Sequence, residues 1–339
     1  MSDSQIRTIE RFFDMISQPA KTAAINTALR LGIVEALEEG QKTLEQICEA
    51  CGTVPEGTAS LLNCLIDSGM VEQFAEFYAL SQAGRLTPRS LWAIMFDQWT
   101  ALESALRTSE QPENEDAEIA EQRLRKRYEQ FRAVHAQIQW AATGVAMKVT
   151  EALGLGTERK HLKILDLGCG SAVYSMAIAH HDPETQVQLV DDAVGLTRAR
   201  ATVASLDLAH RVEMTESSEL VFPGHNEAFD LVVIADQIHV WSPELRKRIL
   251  TTAMRTLKPG GELAIIDIFR GQERGRTTCD LFELQLLIGT GHCLVPLQDM
   301  KTLVEETGFV KIQYTDLPAA PYTHGLLLAA REASSEPTD

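Results

Sequence analysis

Residues 164–172 read Ile-Leu-Asp-Leu-Gly-Cys-Gly-Ser-Ala, and residues 257–262 read Leu-Lys-Pro-Gly-Gly-Glu. The first stretch is a short apolar run carrying an acid, then two glycines one residue apart, then a helical pattern from Val173. Gly168 and Gly170 let the backbone of a strand-to-helix turn come close to a ligand. A Gly-x-Gly turn alone is shared by nicotinamide and flavin sites. Three neighbours discriminate. Val173 stands where a dinucleotide turn has its third glycine, a poor fit for a pyrophosphate. Asp166 precedes the glycines, where it can hold a cationic group and sits badly with a diphosphate. The 257–262 turn then leads the chain into a later strand.

Working outward, the sequence beyond residue 161 alternates. LKILDLG, QVQLVDD, RVEMTE, FDLVVIAD and GELAIIDIF are short apolar runs separated by helical segments or loops. That pattern predicts βαβ units and an α/β domain with a doubly wound, mostly parallel sheet. FVKIQYTDL and HGLLLAARE are joined by a short link that begins at Pro318. Such a link cannot make a parallel crossover, so the last pair of the seven strands is expected to be antiparallel.

Toward the N-terminus the pattern is helical. Ile6, Ile9, Phe12, Phe13 and Ile16 recur at helical spacing up to an expected break at Pro19. KTAAINTALRLGIVEALEEG predicts a second helix closed by Gly40. Thr43 and Gln46 stand at capping-box spacing ahead of a short helix, EGTASLLNCLIDSG predicts another, and MVEQFAEFYALS predicts two short strands. Helices followed by a hairpin make a winged-helix pattern over residues 1–90. Residues 91–160 read as a helical linker, where His135 and Gln139, four apart, share a face with Trp140 beside them. The sheet domain covers 161–333, and 334–339 is a polar tail.

Charge decides what the winged helix is for. The chain has 31 Lys+Arg against 48 Asp+Glu, a formal net charge of −17. Residues 1–90 hold 12 acidic and 7 basic residues, and Glu56–Gly69, the would-be recognition helix, holds no Lys or Arg. Phosphate contacts normally come from those residues, so nucleic acid is disfavoured and a packing or dimerisation module is expected. No apolar run of about 18 residues suggests a membrane span. Six scattered cysteines suggest reduced thiols in a cytoplasm. The Cys48-x-x-Cys51 pair lacks the further ligands of a zinc site and reads as two helical residues one turn apart.

DLGCGSA followed by LKPGGEL resembles the class I S-adenosylmethionine-dependent methyltransferases. The whole chain resembles the small-molecule O-methyltransferases typified by plant caffeic acid and animal acetylserotonin enzymes. Residues 20–90 resemble the N-terminal winged-helix dimerisation domain of that family. IADQIHVWSPELRKRIL resembles its His-Asp-Trp-Ser segment after strand four. The resemblance implies S-adenosyl-L-methionine as cofactor, an aromatic small-molecule acceptor, a homodimer, and no metal. Asp191, about 20 residues past the glycines, suits ribose hydroxyls, and Asp192 adjoins it. The family's Gly-Asp pair near the adenine falls on Ser217 and Ser218, with Glu216 and Glu219 as possible substitutes. Asp166, Gly168, Gly170, Asp191, Asp192, Ser217 and Ser218 are therefore the expected cofactor residues, and His135, Gln139 and Trp140 the expected acceptor residues.

His239 is the candidate general base, placed just past strand four at the ligand-bearing edge of the sheet. By the resemblance, Asp267 at the end of strand five is its orienting partner. Two departures stand out. Val240 replaces the aspartate that usually follows the histidine, and Leu294 stands where the family has a second flanking acid. His292 is a possible replacement for that acid, and Asp236 is close in sequence. Two alternatives follow: carbon, nitrogen or non-methyl chemistry in the same cofactor pocket, and a ligand-responsive winged-helix DNA-binding regulator.

Overall fold

The computed structural model describes residues 3–87, 89–107, 138–217, 220, 222–224, 226–271, 277–318 and 322–333. The chain divides into two units, Met1–Asp97 and Gln98–Asp339.

In the first unit, helix α1 (Asp3–Leu31) runs straight through Pro19. A proline inside a helix removes one backbone donor, and Pro19 is exposed, so the carbonyl left over can turn to water. The break falls instead at Gly32, in the left-handed region at φ 79°, before α2 (Ile33–Glu38). The second predicted helix is therefore split, with its first half belonging to α1. After β1 (Lys42–Thr43), α3 (Leu44–Cys51) opens with the expected capping box. Gln46 N–H donates to Thr43 Oγ1 and Thr43 N–H to Gln46 Oε1, which satisfies two end donors reciprocally. Cys48 and Cys51 lie one turn apart on α3 as unpaired thiols. α4 (Pro55–Asp67), β2 (Val71–Phe74) and β3 (Phe77–Leu80) complete an antiparallel sheet of order β1-β3-β2 over a core of Ile33, Leu37, Ile47, Leu62, Leu65 and Leu80. Ile6, Ile9, Phe12, Phe13 and Ile16 of α1 stay 43–59% exposed. α5 (Gln82–Arg85), α6 (Arg89–Thr100) and α7 (Leu102–Arg107) follow, and the division between the units falls within α6.

The second unit is the doubly wound domain. After α8 (Thr143–Ala152) come β4 (Lys163–Leu167), α9 (Val173–His181), β5 (Gln186–Asp191), α10 (Ala193–Ser205) and β6 (Val212–Glu216). β7 (Phe229–Ala235), α11 (Pro243–Thr256), β8 (Leu257–Asp267), α12 (Thr277–Thr290), α13 (Leu297–Glu306), β9 (Val310–Pro318) and β10 (Thr323–Ala330) complete it. The sheet order is β6-β5-β4-β7-β8-β10-β9, and β10 alone runs antiparallel to its neighbours.

The continuous apolar runs are explained by burial on both faces. Leu165, Val232, Ile234, Leu263 and Ile265 point to one face, into a core shared with α11 and α13. Ile164, Leu231, Val233, Ala264 and Ile266 point to the other, against α8 and α9. From β4 the chain winds outward to β6 and then returns to β7 on the other side of β4. That reversal opens a crevice at the carboxyl ends of β4 and β7, where open α/β sheets bind ligands. Among the described residues, no helix is long and apolar enough to cross a membrane.

Candidate active site

The turn after β4 forms one wall of the crevice. Gly168 and Gly170 take positive φ, 81° and 55°, and Ala172 follows at 61° as α9 begins. A Cβ on Gly168 would lie 3.0 Å from the Trp241 ring and 3.1 Å from Gln237 Cγ. A Cβ on Gly170 would run into the Gln139 amide. Asp191 closes the turn from β5. Its Oδ2 accepts the Gly170 N–H at 2.7 Å and its Oδ1 accepts the Asp192 N–H at 2.7 Å. The Asp192 carboxylate accepts the Gly195 N–H at 2.8 Å and caps α10. Ser217 stands beside this group, its N–H donating to the Asp191 carbonyl at 2.9 Å.

Asp166 lies beneath the turn and is 2% exposed. Its Oδ2 accepts the Ser175 hydroxyl, while its Oδ1 is buried with no hydrogen-bond partner. Burial pushes this carboxyl up to about 7, with the Ser175 bond pulling it down and the Asp191 charge pushing it further up. The Ser171 hydroxyl, in the turn itself, is likewise buried without a partner. A half-satisfied buried carboxylate beside an opened turn is a receptor for a cationic hydrogen-bond donor.

The second wall is the corner after β7. His239 lies in a single 3-10 turn, Ile238–Val240, and is 5% exposed. Its Nδ1 is 2.6 Å from Asp267 Oδ1, and its backbone N–H donates to Asp267 Oδ2 at 3.3 Å. Asp267 is fully buried and also accepts the Ile268 N–H at 2.7 Å, so its carboxylate is fixed from both sides. The Phe282 ring meets the His239 ring edge-on at 5.2 Å, and Tyr322 packs on Phe282 at 5.0 Å.

Several sequence expectations land elsewhere. Gln139 stands in a 3-10 turn, Gln139–Ala142, rather than on a continuous helical face. Its Oε1 accepts the Ser171 N–H at 3.1 Å, so its amide lies on the glycine turn. Trp140 is 51% exposed. Leu294 is buried with Ile268, Phe282 and Leu286, an apolar filling where an acid was sought. His292 is exposed, its N–H donating to Thr290 Oγ1. It lines a cavity of about 570 Å³ with Trp241, Arg246, Leu294 and Met300, and His239 and Asp267 are not among the lining residues. His135 and Ser218 lie outside the described residues.

Two residues escaped the sequence reading. Tyr174 donates its hydroxyl to Asp236 Oδ2 at 2.8 Å, and His324 Nε2 lies 3.0 Å from Asp236 Oδ1. Tyr174 sits in the first turn of α9 and His324 at the start of β10, 62 and 88 residues from Asp236.

Known proteins share this architecture. Residues 164–261 match the methyltransferase domain family, and residues 13–89 match the O-methyltransferase dimerisation domain. O-methyltransferase SfmM3 of Streptomyces lavendulae is 24% identical over 325 residues, 90% of this chain and 96% of that protein. Ribosomal RNA small subunit methyltransferase C of Klebsiella pneumoniae is 33% identical over 126 residues, covering 35% of this chain and 36% of its own length. Human N-acetylserotonin methyltransferase, solved in complex with S-adenosylmethionine, shares the fold at a TM-score of 0.71 and 17% identity, over 98% of this chain and 100% of that one. With a methyltransferase domain behind an O-methyltransferase dimerisation domain, the chain is similar in both parts to the S-adenosylmethionine-dependent O-methyltransferases.

Proposed function

We propose that this methyltransferase acts on a hydroxyl of an aromatic or polyketide-like small molecule, with His239 as general base. The observation that carries the reading is the 2.6 Å contact between His239 Nδ1 and Asp267 Oδ1, both groups buried at the carboxyl edge of the sheet. A carboxylate there holds the proton on Nδ1 and makes Nε2 the basic nitrogen. Nε2 then accepts the proton of the acceptor hydroxyl, which turns a poor nucleophile into a good one. The methyl donor supplies an electrophilic methyl on a sulfonium. Displacement at such a centre needs alignment rather than a Lewis acid.

The cofactor residues on this reading are Asp166, Gly168, Gly170, Asp191, Asp192 and Ser217. Asp166 offers its unpartnered Oδ1 to a cation, and S-adenosylmethionine carries an ammonium as well as its sulfonium. Asp191, fixed by two backbone donors, is on this reading the carboxylate that accepts from the ribose hydroxyls. Gln139 belongs with this group through its bond to the Ser171 N–H rather than with the acceptor residues. Phe282 and Leu294 supply apolar surface beside the base, which suits a planar acceptor.

A labelled-methyl assay over a panel of phenols and hydroxylated polyketides tests the reading. His239→Gln is expected to lower kcat by roughly 10²–10⁴ while leaving cofactor binding within about threefold. Undiminished turnover in that variant removes the base assignment. A second reading, transfer to nitrogen or carbon, is favoured by the apolar Leu294, which leaves no second acid at that position beside the base. Methyl transfer to amines or ring carbons with hydroxyls inert would establish it.

The exposed apolar row on α1 supports a homodimer, because a water-facing stripe of Ile and Phe gains by burial against a second copy. Sedimentation of Phe12→Asp/Phe13→Asp is expected to show monomer where the parent shows dimer. A parent that is monomeric at every concentration contradicts this.

A further inference from the structure

Helix α10 carries a buried glycine, Gly195, in its first turn. Glycine is among the weakest helix formers, so the position calls for a reason other than helix stability. We propose, on the reading of Asp191 as the ribose carboxylate, that Gly195 is a positioning residue for the methyl donor. It leaves the room in which the Asp191 carboxylate is seated, and so sets where the ribose hydroxyls are received.

The seat has three sides. Asp191 Oδ2 accepts the Gly170 N–H from the β4 turn, and Oδ1 accepts the Asp192 N–H, each at 2.7 Å. Gly195 is the third side. A Cβ there would stand 2.6 Å from each Asp191 oxygen and nearer still to Cγ, well inside van der Waals contact. The bare Cα of Gly195 is therefore the surface on which the carboxylate rests. Asp191 is 2% exposed, which sets that carboxylate into the wall of the crevice. Gly195 takes no left-handed φ, so an alanine in its place meets the carboxylate without backbone strain of its own.

An added methyl must displace something, and the surroundings are tied. The Gly195 N–H donates to Asp192 Oδ1 at 2.8 Å, the cap of α10. Leu196 and Ala199 pin the helix from behind, buried in one core cluster with Leu189 of β5 and Met176 of α9. The Asp191 backbone is held as well, its carbonyl accepting the Ser217 N–H at 2.9 Å. What can turn is the Asp191 side chain, and it turns only by leaving the Gly170 and Asp192 donors. A methyl at position 195 thus drives the carboxylate off both.

The chemistry makes that displacement selective. A carboxylate that receives two neighbouring hydroxyls needs both oxygens at fixed places, because losing either bond leaves a hydroxyl unpaired. The two backbone donors fix the rotation of the Asp191 carboxylate, and Gly195 fixes its depth.

Calorimetry of the full chain with S-adenosylhomocysteine and with its 2′,3′-dideoxyribose analogue tests this without an acceptor. The parent is expected to prefer the hydroxylated probe. In Gly195→Ala, affinity for S-adenosylhomocysteine is expected to fall by about 10-fold or more, and affinity for the dideoxy analogue by no more than about threefold. An equal loss on both probes, or no loss, overturns the proposal, because a merely structural glycine would not single out the ribose hydroxyls. Asp191→Ala separates the two readings. If it keeps the parent's preference, the ribose reading fails and the role of Gly195 falls with it. If it abolishes the preference while Gly195→Ala keeps it, the role of Gly195 alone fails. Should Gly195→Ala not fold, the double variant Asp191→Ala/Gly195→Ala decides: recovery of the fold there supports the seat, and failure to recover overturns it.

Discussion

Asp166 and Asp236 are carboxylates of neighbouring strands, the first inside β4 and the second just past β7. Consecutive residues of α9 reach them, Ser175 to Asp166 and Tyr174 to Asp236. Each suffers burial, and each receives one hydroxyl bond. Yet Asp166 is pushed up to about 7, and Asp236 is held below the ordinary range. The difference is a cation. Asp236 has His324, whereas one oxygen of Asp166 has no partner and the charge acting on it is the like charge of Asp191. The Asp236 carboxylate has its countercharge within the chain, whereas Asp166 keeps an oxygen with no partner.

The sharpest way to break this comparison is Asp166→Asn. A carboxyl whose folded pKa lies above its unfolded value takes up protons on folding, so it weakens the fold as pH rises from about 4 to 7, and the full penalty stands above 7. A gap of about three units corresponds to at most about 4 kcal/mol. Urea unfolding of the unliganded variant at pH 8 is expected to show a gain of that order or smaller, with little gain at pH 4. Calorimetry should show weaker cofactor binding. No gain at pH 8 would mean that Asp166 is not held in this state.

Gly170→Ala probes the same wall through its backbone. A side chain at φ 55° is strained and collides with the Gln139 amide, so cofactor affinity is expected to fall by about 30-fold, near 2 kcal/mol. Calorimetry measures it, and an unchanged affinity would show the turn to be tolerant. The β7 wall gives the smallest effect. Tyr174→Phe removes one hydroxyl bond to a carboxylate and is expected to cost about 1 kcal/mol. Because Asp236 is held below its ordinary value, that loss is present above about pH 4 and fades as pH falls through the folded pKa of Asp236. A cost that persists in acid would assign the effect to packing.

How much of this was readable in the residues depends on distance along the chain. The β4 turn is local chemistry: an acid and two glycines within five residues announce a strand-to-helix turn, and the structure bends there with positive φ. His239 and Asp267 are 28 residues apart, and their pairing is legible only through the family resemblance; the parallel strands β7 and β8 bring the segments that follow them to one edge. The capping box of Thr43 and Gln46 is local as well. Tyr174 and His324 carry no such mark. They reach Asp236 from another helix and from an antiparallel strand, and nothing in the neighbouring residues predicts which way the side chains point. Gln139 opens a 3-10 turn and its amide reaches the Ser171 N–H, a contact across 32 residues that spacing along the chain does not announce. At Pro19, propensity called for a break that an exposed position did not require.

The adjacency of Tyr174 and Ser175 has a consequence for how this protein can vary. Two bonds radiate from one turn of α9 to two walls of the crevice, so a tilt of that turn acts on both. A substitution that tilts the start of α9, even one far from either carboxylate, becomes a double lesion. It loosens the Asp166 wall and the Asp236 wall together, which on the proposed function are the cofactor side and the base side. Variants selected for a new acceptor would therefore tend to leave this turn untouched and to change the Phe282 and Leu294 side instead, where an apolar residue can be exchanged without disturbing either charge.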